Sequence, residues 1–349
     1  MRTRLLGRDG PELSVIGFGA WGIGGPWRFG WGRVDDDDSI AAIRRAVELG
    51  VNWVDTAAVY GLGHSEDVVG RALSPYRVGE DVLVFTKCGR RWEGRPDGEI
   101  GNDLRPESIR DECEDSLRRL GLERIDLYQC HWPDWTTGTQ LEESWGTMAA
   151  LVDEGKVRWI GACNFDVEQL DRCEAVRRVD SVQPPLSLLA RGVLSTVVPW
   201  AAERGAGVLG YSPLASGLLS GAYDRDRIAG LAEDDARRQA PPFREPLLSQ
   251  NLELVERLRR LAAGLGTTLP ALAIAWVLAQ PGVTASIVGA RLPGHVDGWA
   301  AAAELAPDDR TLLEIGDAVA ATGAGSDVPP APPPHIRPVH ARTGAKEPV

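Results

Sequence analysis

The sequence of 349 residues has few cysteines, no long apolar run and fewer basic than acidic residues. The five cysteines are an odd number without a CxxC pair or zinc-ligand spacing, which argues against a disulfide scaffold and favours reduced thiols. The longest apolar stretch, Leu269 to Ala279, is bounded by prolines and is too short to cross a bilayer. The N-terminus has no signal-peptide core. We therefore expect a cytoplasmic protein that does not enter membranes.

The charge balance argues against nucleic acid as a partner. The 38 basic and 50 acidic residues give a formal net charge of −12, whereas nucleic acids and anionic membranes require a basic face. Hydrophobic residues make up 43% and charged residues 25% of the chain, an ordinary globular composition that supports a large core. The expected partner is a small molecule, and the chain is predicted to be a monomer or a weak homo-oligomer.

Short β-branched runs alternate along the chain with helical segments. Two helical segments, Asp38 to Leu49 and Pro106 to Leu120, begin with a capping acid or proline and end before glycine. Such alternation requires parallel strands with right-handed crossovers, and eight units without a composition break favour a closed barrel over an open sheet. The prediction is a single (β/α)8 TIM barrel of the α/β class, with strands at Val15 to Gly19, Asn52 to Val54, Val82 to Thr86, Ile125 to Gln129, Arg158 to Gly161, Ser181 to Gln183, Gly207 to Tyr211 and Thr284 to Val288.

Two segments depart from this alternation. Leu214 to Pro246, rich in glycine, aspartate and arginine, is predicted to be a long loop over the strand ends. The domain is predicted to span residues 1–320, and residues 321–349 form a proline-rich tail. Because proline removes backbone donors and few apolar side chains remain, we expect this tail to be disordered or polyproline-like.

Chemically reactive side chains follow three consecutive predicted strands. Asp55 follows the second strand with Tyr60 five residues later, Lys87 follows the third strand, and His131 follows the fourth. Active sites of βα barrels lie at the carboxyl ends of the strands, so these four side chains are expected to lie together. A lysine lowers the pKa of a nearby tyrosine, a carboxylate keeps a buried lysine charged, and a neutral imidazole orients a carbonyl. Such a set protonates a developing alkoxide.

The motifs around these residues resemble the aldo-keto reductase superfamily over about residues 3–320. The similar segments are Asp55-Thr-Ala-Ala-Val-Tyr60-Gly61 with Ser65-Glu66 and Gly70, Leu127-Tyr-Gln-Cys-His131-Trp-Pro-Asp134, Gly155-Lys-Val-Arg158 with Gly161 to Phe165, and Tyr211-Ser-Pro-Leu-Ala215 with Gly217-Leu-Leu219. The resemblance implies that Tyr60 is the general acid, that Lys87 and Asp55 tune it, and that His131 positions the carbonyl. It also implies reduction of an aldehyde or ketone to an alcohol, or the reverse, with NADPH or alternatively NADH as cofactor.

The same resemblance implies a set of cofactor contacts. They are Gly19, Trp21, Asp55, Cys163, Asn164, Gln183, Tyr211, Ser212, Pro213, Leu214, Gly217, Leu219, Gly289, Ala290, Arg291, His295 and Trp299. Asn164 and Gln183 match the pair that holds the nicotinamide carboxamide, and Leu186 stands where a tyrosine that stacks on nicotinamide is expected. Arg291 matches the residue that meets the adenosine phosphate. Cys163 replaces the usual serine, and His295 and Trp299 also depart from the family pattern.

The expected substrate pocket is rich in tryptophan. Its predicted residues are Trp21, Trp27, Trp31, Tyr60, Trp92, His131 and Trp132. Packing beneath the first loop is the alternative for the tryptophans at positions 21, 27 and 31. Arg90 and Arg91 indicate either a polar or sugar-like ligand or ordinary solvated loop arginines. No metal site is predicted.

Other functions remain as alternatives at this stage. Gly17-Phe-Gly19-Ala-Trp-Gly22 is a literal GxGxxG, and the acids at Asp35 to Asp38 follow at a distance typical of a Rossmann dehydrogenase. That fold requires a helix at the third glycine, which Gly24-Gly25-Pro26 disfavours. A noncatalytic redox-sensing subunit of aldo-keto reductase type would bind the same cofactor. A glycosidase needs two carboxylates, and only Asp55 clearly follows a strand.

Overall fold

The computed structural model describes residues 1–92, 99–232 and 235–326. Its strands are β1 (Thr3–Leu5), β2 (Glu12–Ser14), β3 (Ile16–Gly19), β4 (Trp53–Asp55), β5 (Leu83–Cys88), β6 (Arg90–Trp92), β7 (Ile100–Asn102), β8 (Ile125–Cys130), β9 (Val157–Cys163), β10 (Ser181–Gln183), β11 (Gly207–Tyr211) and β12 (Ala285–Gly289). Eight strands pair in parallel and close into a barrel, in the order β3, β4, β5, β8, β9, β10, β11 and β12. The TIM-barrel prediction and all eight predicted strands are confirmed, with strand ends that differ by at most two residues. A closed barrel excludes the open sheet of the Rossmann alternative.

Helices surround the barrel. They are α1 (Asp36–Glu48), α2 (His64–Leu73), α3 (Pro106–Leu120), α4 (Leu141–Asp153), α5 (Val167–Val176), α6 (Val197–Arg204), α7 (Arg225–Ala229), α8 (Leu247–Gly264), α9 (Leu269–Ala279), α10 (Pro293–Ala300) and α11 (Asp309–Thr322). The predicted bounds of α3 are confirmed, with proline in its first turn and Gly121 in the left-handed conformation after its last residue. The predicted start of α1 was two residues late, because the side chain of Asp35 accepts the backbone N–H groups of Asp37 and Asp38 and caps the helix earlier.

Aromatic and aliphatic side chains fill the amino-terminal half of the barrel. Trp53 and Phe85 pack there with ring centroids 5.1 Å apart, and the Trp53 indole donates to the Ser14 carbonyl at 2.9 Å. Leu6 and Leu13, from the β1–β2 hairpin, are fully buried in the same cluster and close this end of the barrel. The carboxyl ends of the strands are thus the open end, where polar side chains can meet a ligand.

The segment from Leu214 to Pro246 differs from its prediction as a long loop. Its described part contains α7 and three short 3₁₀ turns, and the predicted loop ends directly before α8. Two aspartates start these turns: Asp224 accepts the backbone N–H of Arg227, and Asp235 accepts that of Arg237. These two aspartates contributed to the loop-like composition of the segment, but they are helix caps.

The last described helix runs across the predicted boundary between barrel and tail. Helix α11 continues two residues past position 320, and Gly323 follows it at a φ of 62°. Ser326 then forms a bridge with Ala190. The proline-rich run predicted to be disordered lies outside the described residues.

Helices α8 and α9 are the most apolar pair in the described part of the chain. No single described helix is long and apolar enough to cross a membrane; only α8 and α9 taken together pass that criterion, and they are bent by 93° relative to each other. Nine of the eleven residues of α9 are buried, as expected for a helix packed between the barrel and other helices.

The absence of a side chain at position 17 is a testable requirement of the barrel interior. A Cβ at Gly17 would lie 2.2 Å from the Trp53 indole, whereas a Cβ at Gly146, inside α4, would meet nothing within 4 Å. We expect Gly17→Ala to lower the free energy of unfolding by about 2 kcal/mol or more, because a packed core resists added volume. The control Gly146→Ala should raise it by about 0.5–1 kcal/mol. Urea and thermal unfolding measure both, and equal effects of the two changes would contradict this account.

Candidate active site

The structure brings the four predicted reactive side chains together on three neighbouring strands. Asp55 is the last residue of β4, Lys87 lies near the end of β5, Tyr60 lies in the turn after β4, and His131 directly follows β8. Strand β5 pairs with β4 on one side and with β8 on the other. β4 ends one residue and β5 two residues later than predicted, so Asp55 and Lys87 are strand residues with fixed side-chain directions.

A buried ion pair lies at the centre of this group. Lys87 Nζ donates to Asp55 Oδ1 at 2.5 Å and to the Thr56 carbonyl at 2.8 Å, and both charged side chains are almost fully buried. The other Asp55 oxygen accepts from Gln183 Nε2 at 2.8 Å and from Gln129 Nε2 at 3.3 Å. Both charges therefore have the partners that a buried ion pair requires.

The Tyr60 phenol lies next to this pair. Lys87 Nζ is 3.4 Å from the Tyr60 oxygen, and the phenol is buried. Burial, followed by the Asp55 carboxylate, raises the pKa of Tyr60 well above its usual range. The Lys87 ammonium does not reverse this direction, because it lies closer to the Asp55 carboxylate than to the phenol oxygen. The phenol is therefore protonated and available as a proton donor.

Close backbone contact fixes the turn that carries Tyr60. Gly61 has a φ of 61°, and a Cβ there would lie 1.9 Å from the Gly24 carbonyl oxygen. A Cβ at Gly24 would in turn lie 2.8 Å from the Gly61 nitrogen. The loop after β3 and the turn after β4 therefore touch backbone to backbone, which holds Tyr60 against the strand ends.

His131 closes the other side of the group. Its ring centroid lies 5.6 Å from that of Tyr60, its side chain is buried, and Nδ1 has no hydrogen-bond partner among the described residues. Burial, then the charges of Lys87 and Arg90, lower the pKa of His131 well below its usual range. The imidazole is therefore neutral and can donate only one N–H to a ligand.

Gln129 and Thr56 belong to the site but were missed by the sequence analysis. Gln129 is fully buried on β8, where strand alternation places it on the same side as Leu127, in the barrel interior. A glutamine in an otherwise apolar strand was the available signal. Thr56 contributes its backbone carbonyl, for which no side-chain pattern gives a signal.

The structure brings some, but not all, of the tryptophans of the predicted substrate pocket close to Tyr60. Ring centroids of Trp21 and Trp27 lie 5.6 Å and 6.2 Å from that of Tyr60, and Trp92 packs against the cluster that contains Tyr60. Trp31 lies elsewhere, since Arg237 stacks on its ring and Arg291 donates to its carbonyl. Trp132 packs edge-on against Trp135 at 6.3 Å. Three tryptophans therefore line the Tyr60 side of the site.

The amide pair lies beside the ion pair. Tyr211 donates its hydroxyl to Asn164 Oδ1 at 2.7 Å, and Gln183 Oε1 accepts from the Cys163 thiol at 3.6 Å. Each amide oxygen keeps a second lone pair for a ligand N–H. Asn164 adopts a φ of 63°, which turns it out of β9. The aromatic ring beside this pair belongs to Tyr211, whereas Leu186, which the resemblance put in the stacking position, is fully buried.

Two strand-end loops frame a groove next to the amide pair. The loops after β10 and β11 line a cavity of about 130 Å³, with Ser212, Ala215 and Ser216 on its wall. Ser212 and the residues from Ala215 to Gly217 have positive φ values, which curve this loop tightly. Leu219, an expected cofactor contact, is fully buried in the helix layer, and Gly19 is buried against Ile287.

Arginine side chains gather around Trp31 and Arg33, in the segment between β3 and α1. Arg291 donates to the carbonyls of Trp31 and Arg33, the latter at 2.6 Å, and Arg237 stacks on the Trp31 ring at 5.2 Å. His295 Nδ1 accepts the Arg291 backbone N–H at 3.4 Å. Gly289 is exposed in the same loop, whereas Trp299 is buried in the core. The predicted contact at Trp299 therefore has no exposed ring to offer.

The chain is similar to known proteins over nearly its whole length. A model of the aldo/keto reductase family matches residues 15–318. The chain is 37% identical over 321 residues to the aldo-keto reductase YhdN of Bacillus subtilis (strain 168), covering 90% of this chain and 94% of that protein. It is 35% identical over 332 residues to the NADH-specific methylglyoxal reductase of Escherichia coli (strain K12), covering 91% and 99%.

A solved structure supports the same assignment. The glycerol dehydrogenase of Gluconobacter oxydans has a TM-score of 0.84 and 37% identity to this chain, and the match covers 93% of this chain and 96% of that one. Sequence and fold therefore agree over nearly the whole length. The chain belongs to the aldo/keto reductase family of NAD(P)H-dependent oxidoreductases.

Proposed function

We propose that the chain reduces an aldehyde or ketone to an alcohol with NADPH, and that Tyr60 is the general acid. The observation that carries this proposal is the protonated Tyr60 phenol held 3.4 Å from Lys87 Nζ and beside a neutral His131. The two named relatives are both reductases, which favours an enzyme over the noncatalytic cofactor-binding alternative. The same residues serve the reverse oxidation.

Each of the four side chains has one task in this proposal. A nicotinamide held at the amide pair would supply the hydride that reduces the carbonyl carbon. The Tyr60 hydroxyl gives its proton to the carbonyl oxygen, which completes the alcohol and leaves a phenolate. The Lys87 ammonium stabilises that phenolate, and Asp55 keeps Lys87 charged although it is buried. His131 donates its single N–H to the carbonyl oxygen and orients it.

The amide pair fits a nicotinamide carboxamide. The free lone pairs on Asn164 Oδ1 and Gln183 Oε1 accept the carboxamide N–H groups, and the Tyr211 ring provides an aromatic surface beside them. The curved loop from Ser212 to Gly217 and the adjoining cavity suit the diphosphate. These residues would hold the cofactor along the groove toward Arg291.

Removal of the Tyr60 hydroxyl tests the proton donor. We expect Tyr60→Phe to lower kcat for aldehyde reduction by about 10²- to 10⁴-fold, the usual contribution of a general acid. The matched control is Tyr128→Phe, because Tyr128 is equally buried but points its hydroxyl at the Ile109 carbonyl outside the site. Circular dichroism and NADPH-induced quenching of tryptophan fluorescence confirm folding and cofactor binding. Unchanged turnover in Tyr60→Phe would disprove the mechanism.

A pH profile tests the protonation state of His131. Its pKa lies well below its usual range, so lowering the pH through about 6.5 leaves the imidazole neutral. We therefore expect kcat/KM for reduction to show no acid-side loss near pH 6.5. His131→Asn should lower kcat/KM by about 10²-fold at every pH. His64→Asn, which changes a partly exposed histidine paired with Asp36, is the control. An acid limb near pH 6.5 that only His131→Asn removes would contradict a neutral imidazole.

The arginine cluster favours NADPH over NADH. Arg291 and Arg33 lie together at residues 31–33 and supply local positive charge, whereas Arg237, which stacks on Trp31, is paired with Asp235. The additional phosphate of NADPH forms charge-assisted hydrogen bonds with such a cluster. An NADH-specific relative marks NADH as the alternative, and Arg291 is the residue on which the choice depends.

Substitution of Arg291 separates the two cofactors. Arg291→Met should weaken NADPH binding by about 10- to 100-fold and change NADH binding by less than about 3-fold. The matched control is Arg257→Met, because Arg257 lies on the exposed face of α8 and pairs only with Glu253. Fluorescence titration with each cofactor measures both constants. Equal losses for NADPH and NADH, or tighter binding of NADH than NADPH to the unchanged protein, would refute NADPH preference.

A further inference from the structure

Arg90 is a buried cation at the edge of the site, although its position in a loop-like sequence suggested a solvated side chain. It is 6% exposed and follows Lys87 by three residues. Between them Gly89 has a φ of 87°, and a Cβ there would lie 2.4 Å from Leu104 Cδ2. Glycine therefore lets the chain turn sharply out of β5, which brings Arg90 inward at the strand end.

Hydrogen bonds fix Arg90 between two active-site loops. Its guanidinium donates to Asn102 Oδ1, directly across the β6–β7 hairpin, and Asn102 Nδ2 donates to the Pro133 carbonyl at 2.9 Å. Pro133 lies two residues after His131. On the same hairpin, Trp92 and Ile100 pack against the cluster that contains Tyr60. The hairpin thus connects Arg90 to the loops that carry Tyr60 and His131.

The described residues provide Arg90 with no carboxylate partner. The neighbouring charges are cationic. The charge of Arg28 lowers the pKa of Arg90, and the charges of Lys87 and Arg90 lower the pKa of His131. The nearby acids are engaged elsewhere. Glu112 accepts the Gly89 N–H, Asp103 pairs with Arg105, and Asp134 accepts from Leu104 and Thr137.

Arg90 stays charged in spite of this environment. Burial, followed by the charge of Arg28, lowers the pKa of Arg90 to about 10, which is still above neutral pH. A guanidinium has five N–H groups, and Asn102 Oδ1 is the acceptor that the described residues supply. A buried charge without a counter-ion is costly, and an anionic ligand offsets that cost.

We propose that Arg90 anchors an anionic group of the substrate, so that the enzyme acts on aldehydes or ketones that also carry a carboxylate or a phosphate. The planar guanidinium suits either group, because both present pairs of oxygens to its N–H fork. Arg28, exposed on the loop after β3, adds positive charge at the entrance. This proposal rests on the carbonyl reduction proposed above and adds the substrate class to it.

Matched substrates test the charge preference directly. We compare 4-oxobutanoate with 4-oxobutanamide, and glyceraldehyde 3-phosphate with glyceraldehyde, using the full-length enzyme and NADPH. The anionic member of at least one pair should have a kcat/KM higher by about 10- to 100-fold, the range expected for a charge-assisted hydrogen bond. The pair with the larger ratio identifies carboxylate or phosphate as the anion.

Variants at position 90 assign the preference to Arg90. Arg90→Met should abolish the ratio by raising KM for the anionic member, with less than about 3-fold change in kcat/KM for its neutral partner. Arg90→Lys should keep part of the ratio, because it retains the charge but loses the fork. Arg91→Met, at the exposed neighbouring position, is the matched control and should leave the ratio unchanged. NADPH-induced fluorescence quenching confirms that each variant is folded.

Three outcomes would refute anion binding by Arg90 and leave the proposed reductase mechanism unaffected. A wild-type preference for both neutral substrates, or equal losses for charged and neutral substrates in Arg90→Met, would show that Arg90 is only structural. An unchanged ratio in that variant would place the anion elsewhere. Tyr60→Phe distinguishes failure of the reductase mechanism from failure of the anion-binding proposal. Full activity in that variant refutes the mechanism, independently of the results with the Arg90 variants.

Discussion

The ion pair between Asp55 and Lys87 is the interaction on which the rest of the site depends. Neither charge reaches solvent, so the pair persists only because Thr56, Gln129 and Gln183 supply further hydrogen bonds. Those partners come from β8, β10 and the end of β4, which means that barrel closure itself completes the pair. Loss of one charge would leave the other buried and uncompensated, so the side chains proposed to act on the substrate also contribute to the stability of the barrel.

Strands and reactive residues were predictable because both have local signals. β-branched runs bounded by turns set the eight strands, and polar residues at the ends of three of them indicated the reactive set. The loops were less predictable, because their conformation depends on distant partners. Trp31 was predicted to lie in the substrate pocket, but Arg237 stacks on its ring and Arg291 donates to its carbonyl. A solvated side chain was one of the two interpretations of Arg90, but the turn at Gly89 and the hydrogen bond to Asn102 bury it.

Charge is distributed unevenly in this acidic protein. The formal net charge is −12, yet cationic side chains gather at two places on the carboxyl side of the barrel. Arg90 and Arg28 lie near the Asp55–Lys87 pair, and Arg291 lies against Arg33 near Trp31. Buried charges are screened by salt much less than surface charges, so the interior field persists while the acidic exterior keeps molecules apart.

The bridge between Ser326 and Ala190 fixes the position of the last described residues. Ala190 lies in the loop after β10, on the wall of the cavity beside the groove, so the segment that follows α11 returns to the catalytic face of the barrel. A dye or fused domain attached just after Ser326 would begin at this rim and not at the opposite end of the barrel. A fluorophore attached there would therefore lie next to the cavity and could report ligand binding in it.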